Sequence, residues 1–398
     1  MLVATIAVQA LVAMALMALP SIAPAVAKDF GISTAYLGAY VACVYLAAMF
    51  STVMGGIGVK RWGAIRLSQI GLFCSGVGLF LSAVPHPVTV VVGAILIGAG
   101  YGPITPASSH LLIKSTPPHQ LSLVFSIKQT GVPLGGMMAG AMVPPIEALA
   151  NWQIALLAVG LACVVCALLV SPLRASLDDD RDPTARASLR TSLVNPVLMV
   201  WRHPALRTLA FVSFLFVFAQ LACTAYIVTF LYEDLGWGLI AAGVALTIAQ
   251  AAGVGGRILW GYMADRWLGA LPMLMVIAAI LAIAAIGAAL LSETSSYAFL
   301  FVVLALLGAT AIGWNGVYLA EVARRAPKGQ AGMATGGTLG FTFMGVAIGP
   351  SMFGLLAEGV GSYGLAYLFL VIPATIVIFL LWRQYRSDGD VKLQSRAI

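Results

Sequence analysis

The chain has 398 residues, of which 61% are hydrophobic and 9% charged, and its mean hydropathy is +1.01. Soluble globular domains carry about 25% charged residues, so this composition excludes a soluble protein and indicates one whose solvent is lipid. The net charge of +7 would by itself allow a nucleic-acid partner, but the positions of the basic residues argue against one.

Twelve apolar runs are long enough to span a bilayer, which requires about 20 apolar residues. The first run starts at the initiator Met without a basic segment before it, so it is interpreted as a spanning helix and not as a cleavable signal peptide. The predicted spans, numbered 1 to 12 in chain order, are 3–24, 36–58, 65–84, 88–112, 121–145, 151–172, 206–232, 238–263, 270–291, 297–322, 331–357 and 361–382.

The basic residues are distributed very unevenly over the loops. If both termini are cytoplasmic, all of the 21 Lys and Arg residues fall on the cytoplasmic side except Lys28, Lys128 and Arg257. Cytoplasmic loops of membrane proteins carry such an excess. The sequence therefore predicts a multi-pass protein of the inner, cytoplasmic membrane with both termini in the cytoplasm, and the lipid explains the basic charge without nucleic acid.

The two halves of the chain repeat. Lys28-Asp29-Phe-Gly31 matches Glu233-Asp234-Leu-Gly236, and Gly56 to Gly63 matches Gly261 to Gly269, with Asp265 opposite Lys60. The segment 98–120 also aligns with 308–330. The twelve spans thus repeat as six plus six, an architecture common in secondary transporters, whose solute site lies near mid-membrane where the repeats meet.

One long hydrophilic stretch, about 173–207, separates spans 6 and 7. Its centre, Leu177-Asp-Asp-Asp-Arg-Asp-Pro183, carries charges of both signs and is interpreted as a solvated linker, with a regulatory role as the alternative. The predicted domains are an N-terminal six-helix bundle (1–173), a cytoplasmic linker (174–205), a C-terminal six-helix bundle (206–384) and a cytoplasmic tail (385–398).

The loops after spans 2 and 8, together with Gly131-Val-Pro133-Leu-Gly135-Gly136 in span 5, resemble signatures of the Major Facilitator Superfamily. The resemblance implies an all-α membrane protein, with twelve transmembrane helices in two pseudo-symmetric six-helix bundles that rock about a central site, and the protein is expected to be a monomer. The family's loop acid belongs to a gating charge cluster; it is kept as Asp265 but replaced by Lys60 in the first half. The gating or conformational candidates are Asp265, Arg266, Lys60, Arg61, Gly131, Pro133 and Gly135, and for the glycines and the proline packing and bending are the alternative.

Two cations inside the spans form the main functional signal. Lys128 in span 5 and Arg257 in span 8 each lie about 12 Å from the cytoplasmic side at 1.5 Å per residue, and a charge in a span costs at least about 2.5–3.5 kcal/mol. The sequence has no Asp or Glu at comparable depth in any span. Because spans 5 and 8 adjoin in the superfamily, the resemblance implies that both cations face a common cavity, and a bound anion would balance them.

Arg257-x-x-x-Gly261-x-x-x-Asp265 also resembles the span-8 segment that carries the substrate-binding arginine of monocarboxylate and oxalate transporters. Ser126-Ile-Lys128-Gln-Thr130-Gly131-Val-Pro133 resembles cyanate-permease-like members. Nitrate transporters pair the arginine with one in span 2, where this chain has Thr52. Monocarboxylate transporters often place a proton-coupling acid one turn before the arginine, where this chain has Gly253.

The predicted solute is a small organic anion, most simply a carboxylate, with Arg257 and Lys128 as its main ligands. Alternatively, Arg257 pairs with Asp265 or with helix carbonyls, and Lys128 extends towards the membrane surface. Supporting candidates are the polar residues Tyr101, Thr105, Asn315, Tyr318, Gln220 and Tyr226, with Gln9, Ser108, Ser109, Trp314 and Thr224 as further ones. Each of them could equally hydrogen-bond between helices.

The predicted activity is secondary active transport, because no phosphate-binding loop of the Gly-x-x-x-x-Gly-Lys-Ser/Thr type occurs. Energy would come from a coupled proton or from anion exchange, and no cofactor, metal or enzymatic activity is expected. The alternatives are efflux of neutral or anionic drugs and, in a different class, a membrane sensor of solutes that does not transport them.

Overall fold

The computed structural model describes residues 1–31, 36–182, 189–237 and 239–394. The side chains at 23–24, 36–39, 189–192, 239–241, 243, 351 and 389–394 are outside the description. Pro183 and Arg186 of the predicted linker, and Arg396 of the predicted tail, therefore lie outside the described residues. Helices account for nearly all of the remainder.

The helices follow the predicted spans. Those of spans 1 to 6 are Leu2–Ser21, Tyr36–Trp62, Ala64–Ser82, Pro87–Tyr101 with Ile104–Ser115, Leu121–Gln129 with Gly131–Leu149, and Trp152–Leu169. Those of spans 7 to 12 are Pro204–Thr229 with Phe230–Asp234, Leu239–Met263 with Ala264–Leu268, Ala270–Ala289, Tyr297–Ala311 with Asn315–Arg325, Ala331–Val360, and Tyr363–Tyr367 with Val371–Gln394. Shorter helices are Ala23–Phe30, Pro118–Gln120, Ser171–Leu173, Arg174–Leu177, Leu189–Arg202 and Leu368–Leu370.

Eleven helices among the described residues are long and apolar enough to cross a membrane. The helix of predicted span 8, Leu239–Met263, has 25 residues and lies outside those eleven; the side chains at its start are among those not described. Large apolar side chains such as Leu168, Ile283 and Leu355 are more than 60% exposed. Such surfaces suit lipid, in which helices satisfy their own backbone hydrogen bonds.

Backbone conformations support the internal repeat. Gly31 and Gly236, which end the first pair of matched motifs, have φ of 63° and 65°, and Gly63 and Gly269, which end the second pair, have φ of 91° and 81°. Only glycine adopts this region readily. The aligned spans 4 and 10 are also both interrupted, at 102–103 and at 312–314. The residues matched in the sequence repeat therefore adopt matching local structure.

The described residues form two compact units. Unit 1 comprises Met1–Thr116, Lys128–His203 and Val322–Phe343, and unit 2 comprises Pro117–Ile127, Pro204–Glu321 and Met344–Ile398. This partition differs from the domain boundaries predicted from the repeat, which stay a prediction. Residues 117–127, predicted in the N-terminal bundle, belong to unit 2, and residues 322–343, predicted in the C-terminal bundle, belong to unit 1.

Close approaches between helices at glycine residues explain why segment 322–343 belongs to unit 1 and segment 117–127 to unit 2. In unit 1, a Cβ at Gly56 would lie 2.2 Å from Met333 Cα, and one at Gly336 would lie 2.5 Å from the Thr52 carbonyl oxygen. In unit 2, Cβ atoms at Gly261 and Gly316 would lie 2.5 and 2.1 Å from Ser126 Oγ. Small residues allow such tight helix packing in membranes.

Candidate functional site

Lys128 is buried in unit 1, with 1% of its surface exposed. Its Nζ donates to Gln9 Oε1 at 2.7 Å, to Gln129 Oε1 at 3.0 Å and to Thr105 Oγ1 at 3.5 Å. These three acceptors are neutral and fix the position of the ammonium group. Lys128 is thus held by side chains of unit 1, which is the placement expected of a functional charge inside a span.

Two glycines bring span 5 close enough to span 1 for Gln9 to contact Lys128. A Cβ at Gly131 would lie 3.0 Å from Gln9 Cβ, and one at Gly135 would lie 2.2 Å from the Ala10 carbonyl oxygen. Pro133 lies in the first turn of Gly131–Leu149, where a missing N–H group costs little. These residues therefore have clear packing roles, while their predicted part in conformational change stays a prediction.

Span 4 contributes Thr105 to the Lys128 site through a break in its helix. The helix Pro87–Tyr101 ends before Gly102 and Pro103, and Thr105 follows in the first turn of Ile104–Ser115. Thr105 Oγ1 also lies 3.3 Å from Gln9 Oε1. Tyr101, the other predicted residue of span 4, is half-buried and packs against the hydrophobic core of unit 1.

Arg257 is buried in unit 2, with 3% exposed. Its Nε donates to the Ile312 carbonyl oxygen at 3.0 Å. Ile312 directly follows the helix Tyr297–Ala311, and the carbonyls at a helix C-terminus lack intrahelical donors and carry partial negative charge. The predicted alternative that Arg257 contacts helix carbonyls is thus realised through Nε, and this contact also orients the guanidinium.

Glycines on spans 8 and 10 make that contact possible. A Cβ at Gly308 would lie 2.0 Å from the Ala249 carbonyl oxygen, and one at Gly256 would lie 2.5 Å from that of Ala309. A Cβ at Gly253 would lie 2.7 Å from Ile312 Cβ. The position where monocarboxylate transporters often have an acid is therefore filled here by the neighbouring helix.

Three predicted residues of unit 2 meet around Trp314. Gln220 Oε1 accepts from Trp314 Nε1 and from Asn315 Nδ2, both at 3.2 Å. The Trp314 ring stacks on Phe216 with centroids 5.1 Å apart and packs against Tyr318 at 5.2 Å. Gln220, Asn315 and Tyr318 thus form one cluster of polar and aromatic groups at the interruption of span 10.

Tyr226 belongs to a different cluster. Its hydroxyl donates to the Pro350 carbonyl oxygen at 2.7 Å, and its ring packs against Phe353 and Tyr363. It lies six residues beyond Gln220 on span 7, about 9 Å along the helix. These contacts are those of a residue that joins spans 7, 11 and 12, while the predicted part of Tyr226 in solute binding stays a prediction.

Asp265 caps the start of span 5 within unit 2. Its Oδ1 accepts from Ser122 N at 3.1 Å and its Oδ2 from Leu123 N at 2.7 Å. These N–H groups lie in the first turn of Leu121–Gln129, where a carboxylate is stabilised by the helix dipole. Arg266, the next residue, is exposed. The contact joins span 8 to span 5, as a gating residue would, although the gating role itself stays a prediction.

In the first half of the chain, a different acid lies near the loop after span 2, which matches the loop that carries Asp265. Lys60 is exposed and Arg61 lies over the Trp62 ring, but Asp178 of the predicted linker is only 3% exposed. Asp178 accepts from Ile65 N at 2.8 Å and from Arg66 N at 3.0 Å, and so caps Ala64–Ser82. The interpretation of this stretch as solvated was therefore wrong at Asp178, because the helix start offers unpaired N–H groups that attract a carboxylate.

The next two linker residues contact the end of span 4. Asp179 Oδ1 accepts from Lys114 Nζ at 2.5 Å, and Asp180 Oδ2 lies 2.8 Å from His110 Nε2. The hydrogen bond from Lys114 lowers the pKa of the Asp179 carboxyl. The contact of Asp179 thus persists as the pH falls to the ordinary range of aspartate and is lost only below it.

We expect Asp178→Ala to lower the free energy of unfolding by about 0.5–2 kcal/mol, the usual effect of removing a helix N-cap. The measurement is the apparent melting temperature of the purified protein in detergent. Asp179→Ala is the matched control, because the Asp179 side chain is 60% exposed and should change the melting temperature less. Equal shifts for the two variants would contradict the capping role of Asp178.

Among the described residues, no group of three or more His, Cys, Asp or Glu side chains is placed to hold a metal ion. The five cysteines are free thiols. The buried charged side chains of the described chain are the cations Lys128 and Arg257 and the acids Asp178 and Glu321.

Two contacts went beyond what the sequence indicated. Gln9 was a weak candidate, because one polar residue in an apolar span has many possible partners, and its pairing with Lys128 depends on the close approach at Gly131. Asp178 carried no separate signal within a run of three aspartates. The distinguishing feature of each is a contact with a residue far away in sequence.

A helical protein with this many apolar spans, an internal repeat and a buried cation in each compact unit belongs to the class of polytopic membrane transporters. The sequence profile of the Major Facilitator Superfamily matches residues 5–338. The chain belongs to that family, whose members are transporters of small molecules and not enzymes.

Relatives and solved structures agree with this assignment. An uncharacterized MFS-type transporter of Mycobacterium tuberculosis (strain CDC 1551 / Oshkosh) is 28% identical over 65% of this chain, and the match spans 56% of that relative's length. The benzoate transport protein of Acinetobacter baylyi is 25% identical over 72% of this chain and 67% of its own. The hexuronate transporter of Bacillus subtilis is 26% identical over 38% of this chain and 36% of its own.

The fold is shared with experimentally solved transporters. The human organic anion transporter MFSD10 superposes with a TM-score of 0.79 at 14% identity, covering 96% of this chain and 98% of that one. The E. coli fucose:proton symporter FucP gives a TM-score of 0.73 at 16% identity, with 96% and 97% covered. These likenesses establish the twelve-helix fold that the sequence predicted.

Proposed function

We propose that the protein is a secondary active transporter of a small organic anion, with a single carboxylate as the group that it recognises. The observation that carries this proposal is the burial of one cation in each unit, Lys128 and Arg257, with defined hydrogen bonds from each. Burying a charge is costly unless the site makes use of it. A bound carboxylate would supply the opposite charge.

The two cations suit different parts of carboxylate recognition. A guanidinium offers five N–H donors in a planar fork that matches the two oxygens of a carboxylate, whereas an ammonium acts as a compact charge. Arg257 is therefore proposed to orient the carboxylate, and Lys128 to attract it through its positive charge. Thr105, Gln220, Asn315 and Tyr318 are proposed as supporting polar contacts.

The relatives support a carboxylate over other anions. Benzoate and hexuronate, the solutes named for two of them, differ in size and polarity, and the chemical group that they share is one carboxylate. Transport is proposed to follow alternating access in the inner membrane by a monomer, with both termini in the cytoplasm. A coupled proton or an exchanged anion would supply the energy.

The test is thermal stabilisation of the detergent-purified protein by benzoate, galacturonate, nitrate, a cationic drug, a neutral or anionic drug and a neutral sugar. A ligand that binds the folded state at 100 times its Kd adds about 2.7 kcal/mol to its stability. We expect the carboxylates to raise the apparent melting temperature of the wild type, and to have no effect on Arg257→Gln or Lys128→Gln.

The control is Arg202→Gln, which removes an exposed basic residue at the end of Leu189–Arg202 and should leave the response intact. Stabilisation by the cation or the neutral sugar alone would overturn the proposal, and so would a normal carboxylate response from both Arg257→Gln and Lys128→Gln. A response to a neutral or anionic drug, in place of the carboxylate response, would favour the alternative of efflux.

A further inference from the structure

The side chain of Gln9 has a fixed orientation next to Lys128. The oxygen and nitrogen of a glutamine amide are distinguished by their hydrogen-bond partners. An ammonium group can only donate, so the Gln9 atom that lies 2.7 Å from Lys128 Nζ has to be Oε1. The Gln9 Nε2 group is therefore the amide atom that does not contact the ammonium.

That nitrogen lacks a partner. Gln9 is 0% exposed, and its Nε2 is one of the few buried side-chain nitrogens or oxygens in the described part of the chain with no hydrogen-bond partner. A buried donor left unpaired costs about 1–3 kcal/mol, and proteins pair most such groups. A donor kept in this condition beside a buried cation calls for a ligand that pairs with it.

The geometry suits the two oxygens of one carboxylate. Gln9 Oε1 and Nε2 are bonded to the same carbon, so Nε2 and the Lys128 Nζ that contacts Oε1 are neighbouring donors. A carboxylate likewise carries two oxygens on one carbon, and it could accept from Nζ with one and from Nε2 with the other. The Thr105 contact at 3.5 Å, the longest of the three to Nζ, is the one that a solute oxygen would replace.

We propose that Gln9 is a specificity-determining residue, and that its Nε2 group donates to the solute carboxylate beside Lys128. This inference rests on the proposed function. It assigns to Gln9 a role beyond holding Lys128: the amide selects solutes with an acceptor oxygen at this point and disfavours solutes that present a donor there.

The test replaces Gln9 by glutamate, which has nearly the same shape. Gln9→Glu keeps an acceptor for Lys128 but replaces the donor by a second acceptor that repels a carboxylate. We expect the variant to fold with an apparent melting temperature at or above that of the wild type, and to bind benzoate and galacturonate at least tenfold more weakly. Gln9→Met, which removes both polar atoms, should also bind them at least tenfold more weakly.

A buried glutamine elsewhere in unit 1 provides the control. Gln69 is 3% exposed and its Nε2 donates to the Ala167 carbonyl oxygen at 2.7 Å, so Gln69→Glu should lower stability without changing the Kd for carboxylates. Wild-type affinity in Gln9→Glu, or in Gln9→Met if the glutamate variant does not fold, would overturn the inference. If the wild type binds no carboxylate, the proposed function fails and this inference fails with it, whereas loss of binding in Lys128→Gln with normal binding in Gln9→Glu overturns this inference alone.

Discussion

Replacing Arg257 by glutamine is expected to lower the efficiency of transport of the proposed carboxylate solute roughly 10- to 100-fold. A hydrogen bond to a charged group contributes about 1.5–3 kcal/mol, and each 1.4 kcal/mol corresponds to a factor of ten. Glutamine can still donate to the Ile312 carbonyl oxygen, the acceptor of Arg257 Nε. The substitution therefore removes the charge and the planar fork while a helix contact can remain.

Arg257→Lys separates charge from geometry. Lysine keeps the positive charge but lacks the planar fork, so we expect uptake between those of the wild type and Arg257→Gln. The measurement is initial uptake of labelled benzoate into vesicles at several concentrations. If Arg257 serves only to hold the Ile312 carbonyl, both variants will show an unchanged concentration dependence of uptake, and the anion-binding role will be wrong.

The sequence could predict the burial of both cations, because a charge within an apolar run has few options in a membrane. Lys128 and Arg257 are indeed 1% and 3% exposed. It could also predict the repeat, and the matching left-handed conformations at Gly63 and Gly269 follow from it. Both features depend on local sequence and on the solvent, and for that reason they were predictable.

The partners of the cations could not be predicted in the same way. Gln9 contacts Lys128 across 119 positions of sequence, and Ile312 contacts Arg257 across 55. Each pairing depends on how closely two helices approach, which glycines such as Gly131 and Gly253 determine. A sequence shows that a glycine is present but not which neighbouring atoms occupy the space that it leaves.

The same limit explains why the sequence did not distinguish the surroundings of Tyr226 from those of Gln220. From the sequence, Gln220 and Tyr226 were equivalent polar residues of span 7. The structure separates them, because Gln220 lies beside the interruption of span 10 and Tyr226 beside the Pro350 carbonyl oxygen of span 11. A difference of six residues along one helix is enough to place two side chains among different neighbours.

Gly253→Ala is expected to lower the free energy of unfolding by about 1–3 kcal/mol, the usual cost of an added methyl group in a tightly packed site. The new Cβ would lie 2.7 Å from Ile312 Cβ and 3.1 Å from the Gly308 carbonyl oxygen. Because Ile312 also supplies the acceptor for Arg257 Nε, its displacement should weaken carboxylate binding. The measurements are the apparent melting temperature and the Kd for benzoate.

Gly255→Ala is the matched control, two residues further along the same helix. A Cβ at Gly255 has no atom within 4 Å among the described residues, and alanine favours a helix over glycine by about 0.5–1 kcal/mol. This variant should melt at or above the wild-type temperature and bind benzoate normally. Gly253→Asp adds both bulk and a buried charge at the closed position, so it should melt earlier than Gly253→Ala and should not create proton-coupled uptake. Full stability of Gly253→Asp together with pH-dependent uptake would show that spans 8 and 10 can separate there, and that a coupling acid one turn before Arg257 is compatible with this fold.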